Sequence, residues 1–245
     1  MSKIEVIQAL YTGAQGGVDF SRCEEKLGII FNNKELLVRA FTHRSFLNEH
    51  RDIVVEHNER LEFLGDAVVE LSVARALYER FPDKPEGELT AYRVALVNTI
   101  TISNVATAIS LNDFLLLSKG EAKDVGRARQ YILANTFESF IGALYLDHGY
   151  DVADQFIAKH LLPLTTEVVE KSLWQDAKSK FQEKSQEIAG VTPSYSVLKE
   201  TGPDHDKSFV VGVFLKDVCV AKGTGKSKQE GEQDAAVQAL KSKGW

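Results

Sequence analysis

From Ile4 to about Leu164 the apolar positions return every three or four residues, as in Leu36, Leu37, Ala40 and Phe41, and again in Leu61, Leu64, Ala67, Val68 and Leu71. That period puts them on one face of a helix. Strand-like alternation is scarce over the same stretch. The period is interrupted at Phe81-Pro82-Asp83-Lys84-Pro85-Glu86-Gly87, around Lys119-Gly120-Glu121 and at Gly126, where proline and glycine stop helices. The pattern predicts several helices joined by polar turns, an all-α domain.

After about Leu173 the period changes. A helical stretch from Ala177 to Ala189 stops at Gly190, and three β-rich segments follow: Tyr195 to Lys199, Ser208 to Leu215, and Val218 to Lys222. Phe209, Val211, Val213 and Leu215 alternate onto one face, as a half-buried strand requires. Lys216-Asp217 is positioned as a two-residue hairpin turn. From Ser227 a helix returns, with Ala235, Ala236, Ala239 and Leu240 forming a small-residue stripe able to lie flat on a sheet. The order is α-β-β-β-α, an α+β domain over residues 174–245, behind an all-α domain over residues 1–173. The junction at 169–175 is short, and no internal repeat is visible.

A chain of 245 residues with 44% hydrophobic and 26% charged positions can bury two cores, and its composition excludes disorder and collagen-like repeats. Cys23 and Cys219 lack the paired spacing of zinc ligands or a disulfide framework. The N-terminus carries Glu5 and no apolar run of signal-peptide type, and no segment approaches the ~18 apolar residues of a membrane span. The expectation is a cytoplasmic protein without a membrane partner. Net charge is −6, unevenly distributed. Residues 1–173 hold 18 Lys and Arg against 25 Asp and Glu, and residues 174–245 hold 11 against 10. An acidic domain beside a lysine-bearing one suits phosphate chemistry assisted by divalent cations, and it equally suits plain solubility.

The chemistry concentrates in Asn58-Glu59-Arg60-Leu61-Glu62-Phe63-Leu64-Gly65-Asp66-Ala67. On a helix, Glu59, Glu62 and Asp66 fall at i, i+3 and i+7 and share one stripe. Stacked like charges are either a solvated face or a place for a hard cation. A second pair, Asn135 and Glu138, lies one turn apart among apolar neighbours. A buried carboxylate needs a partner. A metal is one candidate, and Arg127 or Arg129 is the other.

That ten-residue segment closely resembles the signature of the ribonuclease III family. Leu-Val-Arg-Ala-Phe-Thr-His-Arg-Ser at 37–45, Glu86-Gly87-Glu88-Leu89-Thr90, and Ile132 to Asp147 with its Ile-Gly-Ala-Leu-Tyr-Leu-Asp tail add to the likeness. The resemblance implies that Glu62, Asp66, Asn135 and Glu138 surround Mg2+, with Mn2+ able to substitute, and that Glu59 supports the site. It implies duplex-RNA hydrolysis that leaves 5′-phosphate and 3′-hydroxyl ends. It also implies a homodimer in which Phe63 enters the twin subunit, although by pattern alone Phe63 also suits a core position. His43 and His57 have no role in such a mechanism. The family usually has aspartate where this chain has Asn135. An amide oxygen can still meet magnesium but brings no charge, so metal affinity should fall without catalysis being abolished.

The C-terminal order, with Gly-Thr-Gly-Lys-Ser-Lys-Gln-Glu-Gly-Glu-Gln-Asp-Ala-Ala at 223–236, resembles a double-stranded-RNA-binding domain, which reads A-form shape across the minor grooves. The resemblance assigns RNA contacts to Gln182 and Glu183, to the loop at 202–206 with His205, and to Lys226, Ser227 and Lys228. Gln229 and Gly231 depart from the usual lysine and alanine, which predicts weaker binding through lost charge and lower helix propensity. The leading expectation is an endoribonuclease acting on double-stranded RNA, with roles in rRNA and other RNA processing. Two rivals remain: a silent duplex-binding protein, motivated by Asn135, and a structural dimer within an RNA–protein assembly.

Overall fold

The computed structural model describes residues 2–13, 18–51, 53, 55–170, 177–203 and 207–245. The chain divides into two compact units, residues 1–171 and 172–245. His205, most of the loop around it and the junction at 171–176 lie outside the described residues.

The first unit is helical: α1 (Lys3–Tyr11), α2 (Phe20–Leu27), α3 (Lys34–Ala40), α4 (Arg44–Glu49), α5 (Glu59–Arg80), α6 (Glu86–Val97), α7 (Thr99–Ala108), α8 (Arg127–His148), α9 (Tyr150–His160) and α10 (Leu164–Glu170). Short 3-10 turns at Leu111–Phe114 and Glu121–Lys123 lead into α8. Local chemistry sets several of the ends. Asp19, Asn33 and Asn98 accept main-chain N–H groups at helix starts, and Gly28 closes α2 in the left-handed conformation.

Helix α8 is the axis of this unit. It packs against α3, α5, α7 and α9, and residues from Ile132 to Leu144 are buried on nearly every side, which is why its apolar pattern has no single stripe. Phe140 contacts Phe31, Phe41 and Phe156 at ring-centroid distances of 5.7, 6.1 and 5.1 Å. These offset and edge-on contacts tie α3 and α9 to the same stretch of α8.

The closest approach is between α5 and α8. A Cβ on Gly65 would lie 1.7 Å from the Glu138 main-chain oxygen, and one on Gly142 would lie 2.2 Å from the Leu61 main-chain oxygen. Two glycines facing opposite backbones let the helix axes meet without side chains between them.

The second unit consists of α11 (Ala177–Ala189), β1 (Ser194–Thr201), β2 (Ser208–Leu215), β3 (Val218–Gly225) and α12 (Lys228–Lys243). The sheet is antiparallel in the order β1-β2-β3. The sequence order α-β-β-β-α is therefore observed, with β1 and β3 longer than their apolar segments suggest because ladder bonds continue into Glu200, Thr201, Gly223 and Gly225. Lys216 takes a positive φ of 54° in the hairpin turn. Phe181, Val213, Ala235, Ala236 and Ala239 are fully buried together, and Phe181 stacks on Trp245 at 5.5 Å. The small-residue stripe lies on the sheet as its spacing indicates. A Cβ on Gly231 would meet Val211 Cγ2 at 2.7 Å, and one on Gly223 would meet the Ala235 nitrogen at 2.0 Å. A side chain at 231 would therefore need Val211 to give way, a packing constraint that stands beside the lower helix propensity of glycine.

Candidate active site

The start of α5 is anchored by Asn58, which is 2% exposed. Its N–H donates to the Thr42 carbonyl at 3.0 Å and its side-chain amide to the Ala40 carbonyl at 3.3 Å. Its own carbonyl accepts from the Leu61 and Glu62 N–H groups and from Ser139 Oγ on α8. An asparagine before a helix suggests an N-cap, yet this side chain makes no capping bond and instead joins α5 to the end of α3. Sequence reasoning missed this role, because its partners lie 16 to 81 positions away.

With α5 fixed and the Gly65–Gly142 contact closed, Glu62 and Asp66 face Asn135 and Glu138 of α8. Glu62 is half-buried. Burial pushes its carboxyl up, the charges of Glu59 and Asp66 push it further, and a hydrogen bond from the Asn135 side chain partly offsets them. Glu138 is pushed up to about 8, first by burial and then by the charges of Asp66 and Glu62. Asp66 is exposed at the mouth of the site. Glu59 stands at the rim, where Arg44 donates to its Oε2 at 2.7 Å and His57 Nδ1 lies 3.9 Å away.

The alternative partner for Glu138 does not materialise. Arg129 is taken up by the carbonyl oxygens of Glu121, Ala122 and Asp124 at 3.0 to 3.2 Å, and Arg127 makes no ion pair with Glu138. Among the described residues no lysine or arginine pairs with Glu62, Asp66 or Glu138. The donor set is all oxygen, drawn from two helices, with excess negative charge opposed by no cation. That chemistry fits a hard divalent ion. Among the described residues no three His, Cys, Asp or Glu side chains converge into a ready-made cation position, so side-chain rotation has to complete the ligand set.

Phe63 is 81% exposed, which overturns the core reading of that residue. Leu71 and Tyr78, further along α5, are 58% and 74% exposed.

In the second unit Gln182 and Glu183 are exposed on α11, and Lys226, Ser227 and Lys228 are exposed where β3 passes into α12. Ser227 caps α12 by accepting the Glu230 N–H at 3.1 Å, and Glu230 Oε2 accepts the Lys226 N–H at 2.8 Å. The Ser227 cap and the bond from the Lys226 N–H to Glu230 together hold the lysine-bearing turn. No described helix is long and apolar enough to cross a membrane.

Residues 33–164 match the family model described as ribonuclease-III-like, and residues 177–243 match the double-stranded RNA binding motif. Ribonuclease 3 of Anoxybacillus flavithermus is 46% identical over 223 residues, covering 91% of this chain and 93% of that protein. Ribonuclease 3 of Geobacillus thermodenitrificans is 45% identical over 223 residues, covering 91% and 90%. The crystal structure of the ribonuclease III nuclease domain from Campylobacter jejuni superposes with a TM-score of 0.53 at 35% identity, covering 59% of this chain and 95% of that one. A second structure of the same nuclease domain, solved in connection with flexibility in a region involved in dimer formation, gives 0.52 at 36% identity and covers 59% and 99%. The two-unit order, the acid-lined meeting of α5 and α8, and these matches agree: the chain belongs to the ribonuclease III family.

Proposed function

We propose that the protein is a metal-dependent endoribonuclease that cleaves double-stranded RNA as a cytoplasmic homodimer, with roles in rRNA and other RNA processing. Residues 1–173 catalyse and dimerise, and residues 174–245 bind the duplex. The observation that carries this reading is the meeting of Glu62, Asp66 and Glu138 across the Gly65–Gly142 contact, with no lysine or arginine among the described residues paired to any of them. These three side chains and the Asn135 carbonyl would hold Mg2+ or Mn2+, with Glu59 in support. A bound divalent ion supplies an activated water and offsets charge growing on the phosphate oxygens. The protein's part is positioning. Packing between α5 and α8 brings the backbones that carry Glu62, Asp66, Asn135 and Glu138 together, and rotation of their side chains completes the ligand set. Hydrolysis leaves 5′-phosphate and 3′-hydroxyl ends.

Exposed Phe63 supports dimerisation, because a large apolar side chain projecting from a helix gains most by entering a second copy. Duplex binding rests on Gln182, Glu183, His205, Lys226, Ser227 and Lys228. Asn135 favours a second reading, a duplex-binding protein with weak or silent chemistry.

The test is cleavage of a labelled, perfectly paired RNA across a magnesium titration, with Glu138→Ala and Asn135→Asp alongside. Metal-dependent cutting that is lost in Glu138→Ala and reaches half-maximum at lower magnesium in Asn135→Asp supports the nuclease. Binding without cutting at any magnesium or manganese level refutes it in favour of the silent reading.

A further inference from the structure

Among the described residues, Arg44 is the arginine or lysine in contact with the acid stripe. Arg44, at the start of α4, donates from Nη2 to Glu59 Oε2 at 2.7 Å, and the two side chains are 59% and 43% exposed. Other arginines nearby are occupied in the scaffold: Arg39 pairs with Glu56 at 2.5 Å and reaches the His57 carbonyl at 3.4 Å, and Arg129 is held by three carbonyls. Arg60, on α5, is 81% exposed and reaches Glu56 alone at 3.9 Å; among the described arginines Arg44 is set apart by its contact with Glu59 of the acid stripe, made by a guanidinium that is itself largely exposed.

An RNA backbone entering an acid-lined site brings phosphates on both sides of the reacting one, and these must also be met by positive charge. Glu62, Asp66 and Glu138 would hold a divalent ion whose charge offsets the reacting phosphate, which leaves its neighbours to the protein's own cations. We propose that Arg44 binds a backbone phosphate adjacent to the scissile one, exchanging its contact with Glu59 for the phosphate when RNA arrives; this rests on the duplex-cleaving reading above. The exchange is energetically small. An exposed ion pair is weak because water screens it, whereas an arginine–phosphate contact is charge-assisted and bidentate. Glu59 is not stranded by the exchange. His57 Nδ1 is buried, has no hydrogen-bond partner among the described residues, and lies 3.9 Å from the same Oε2, so a small rotation gives Glu59 a replacement donor.

The experiment measures initial rates of duplex cleavage by the full chain against sodium chloride, for wild type, Arg44→Ala, Arg44→Lys and Glu59→Gln. If Arg44 meets a phosphate, Arg44→Ala lowers kcat/KM about tenfold and flattens the slope of log(kcat/KM) against log[salt] by about 0.9, the value for one lost phosphate contact. Arg44→Lys keeps the slope because the charge stays, and the magnesium midpoint of Arg44→Ala stays within about twofold of wild type. Glu59→Gln breaks the same pair but leaves Arg44 free, so it keeps the wild-type slope. An unchanged slope in Arg44→Ala, or an equal flattening in Glu59→Gln, overturns the assignment while leaving the nuclease standing. A wild-type chain that neither binds nor cuts the duplex overturns both.

Discussion

The α-hydrogen face of Gly65 rests against the main-chain carbonyl of Glu138, so closely that a methyl group there would stand 1.7 Å from the oxygen. One contact therefore sets both the packing of the two longest helices and the separation of the carboxylates they carry.

Gly65→Ala must push α5 and α8 apart, because the obstacle is backbone and cannot rotate away. Overpacking of this kind costs about 1–3 kcal/mol, or about 2–4 °C in Tm for each kcal/mol in a domain of this size. We expect thermal unfolding to shift by that amount and cleavage to fall more than a hundredfold even well below Tm. Unimpaired cleavage in a folded Gly65→Ala protein would show that helix spacing does not set the site.

Glu138 yields a pH prediction. Its carboxyl is raised from 4.5 to about 8 in the metal-free fold, so between those values the unfolded chain ionises while the folded one retains its proton. Without divalent cations, stability therefore falls as pH rises from about 4.5 to 8, and levels off beyond. Glu138→Gln removes this penalty. Its Tm in EDTA should exceed that of wild type at pH 7, by the equivalent of about 1–3 kcal/mol, and the advantage should disappear at pH 4.5. Equal Tm values at both pH values would contradict the burial of an unpaired charge there.

Phe63→Ala removes the exposed ring without touching the core of its own subunit. We expect sedimentation equilibrium to show a dimer dissociation constant at least tenfold weaker, with little loss of monomer stability. An unchanged dimer would place the interface elsewhere.

Asp234 has the opposite sign from Glu138. It accepts the Thr224 N–H at 2.8 Å and a Gln238 amide hydrogen at 3.1 Å, and these bonds, led by Thr224, hold its carboxyl below the usual 3.8. The stabilisation is complete above pH 3.8 and is lost as pH falls through the lower folded value. Asp234→Asn should lower the stability of the C-terminal unit by about 1 kcal/mol at pH 7, read as loss of amide-exchange protection in β3. Unchanged protection at Thr224 would disprove the contribution.

Helix identity and strand order were legible because they depend on spacing within short windows: Ala177–Ala189 and Ser208–Leu215 occur as their periodicity indicates. The acid stripe was legible for the same reason. What lay beyond reach depends on contacts between distant residues. No local pattern tells that Gly65 faces Glu138, that Arg44 seeks Glu59, or that Asn58 spends its amide on Ala40. Gly231 was legible as a weak helix former but not as a packing position, because the close approach comes from Val211 on the sheet beneath it.

The seating of α12 against the sheet through Gly223 and Gly231 has a thermodynamic corollary for the turn between them. Lys226 and Lys228 stand on a segment held from below by close packing and from within by the bonds that Glu230 makes with Ser227 and with the Lys226 N–H. The conformational entropy of that turn is spent when the unit folds, so an anion arriving there has only the two flexible side chains left to immobilise.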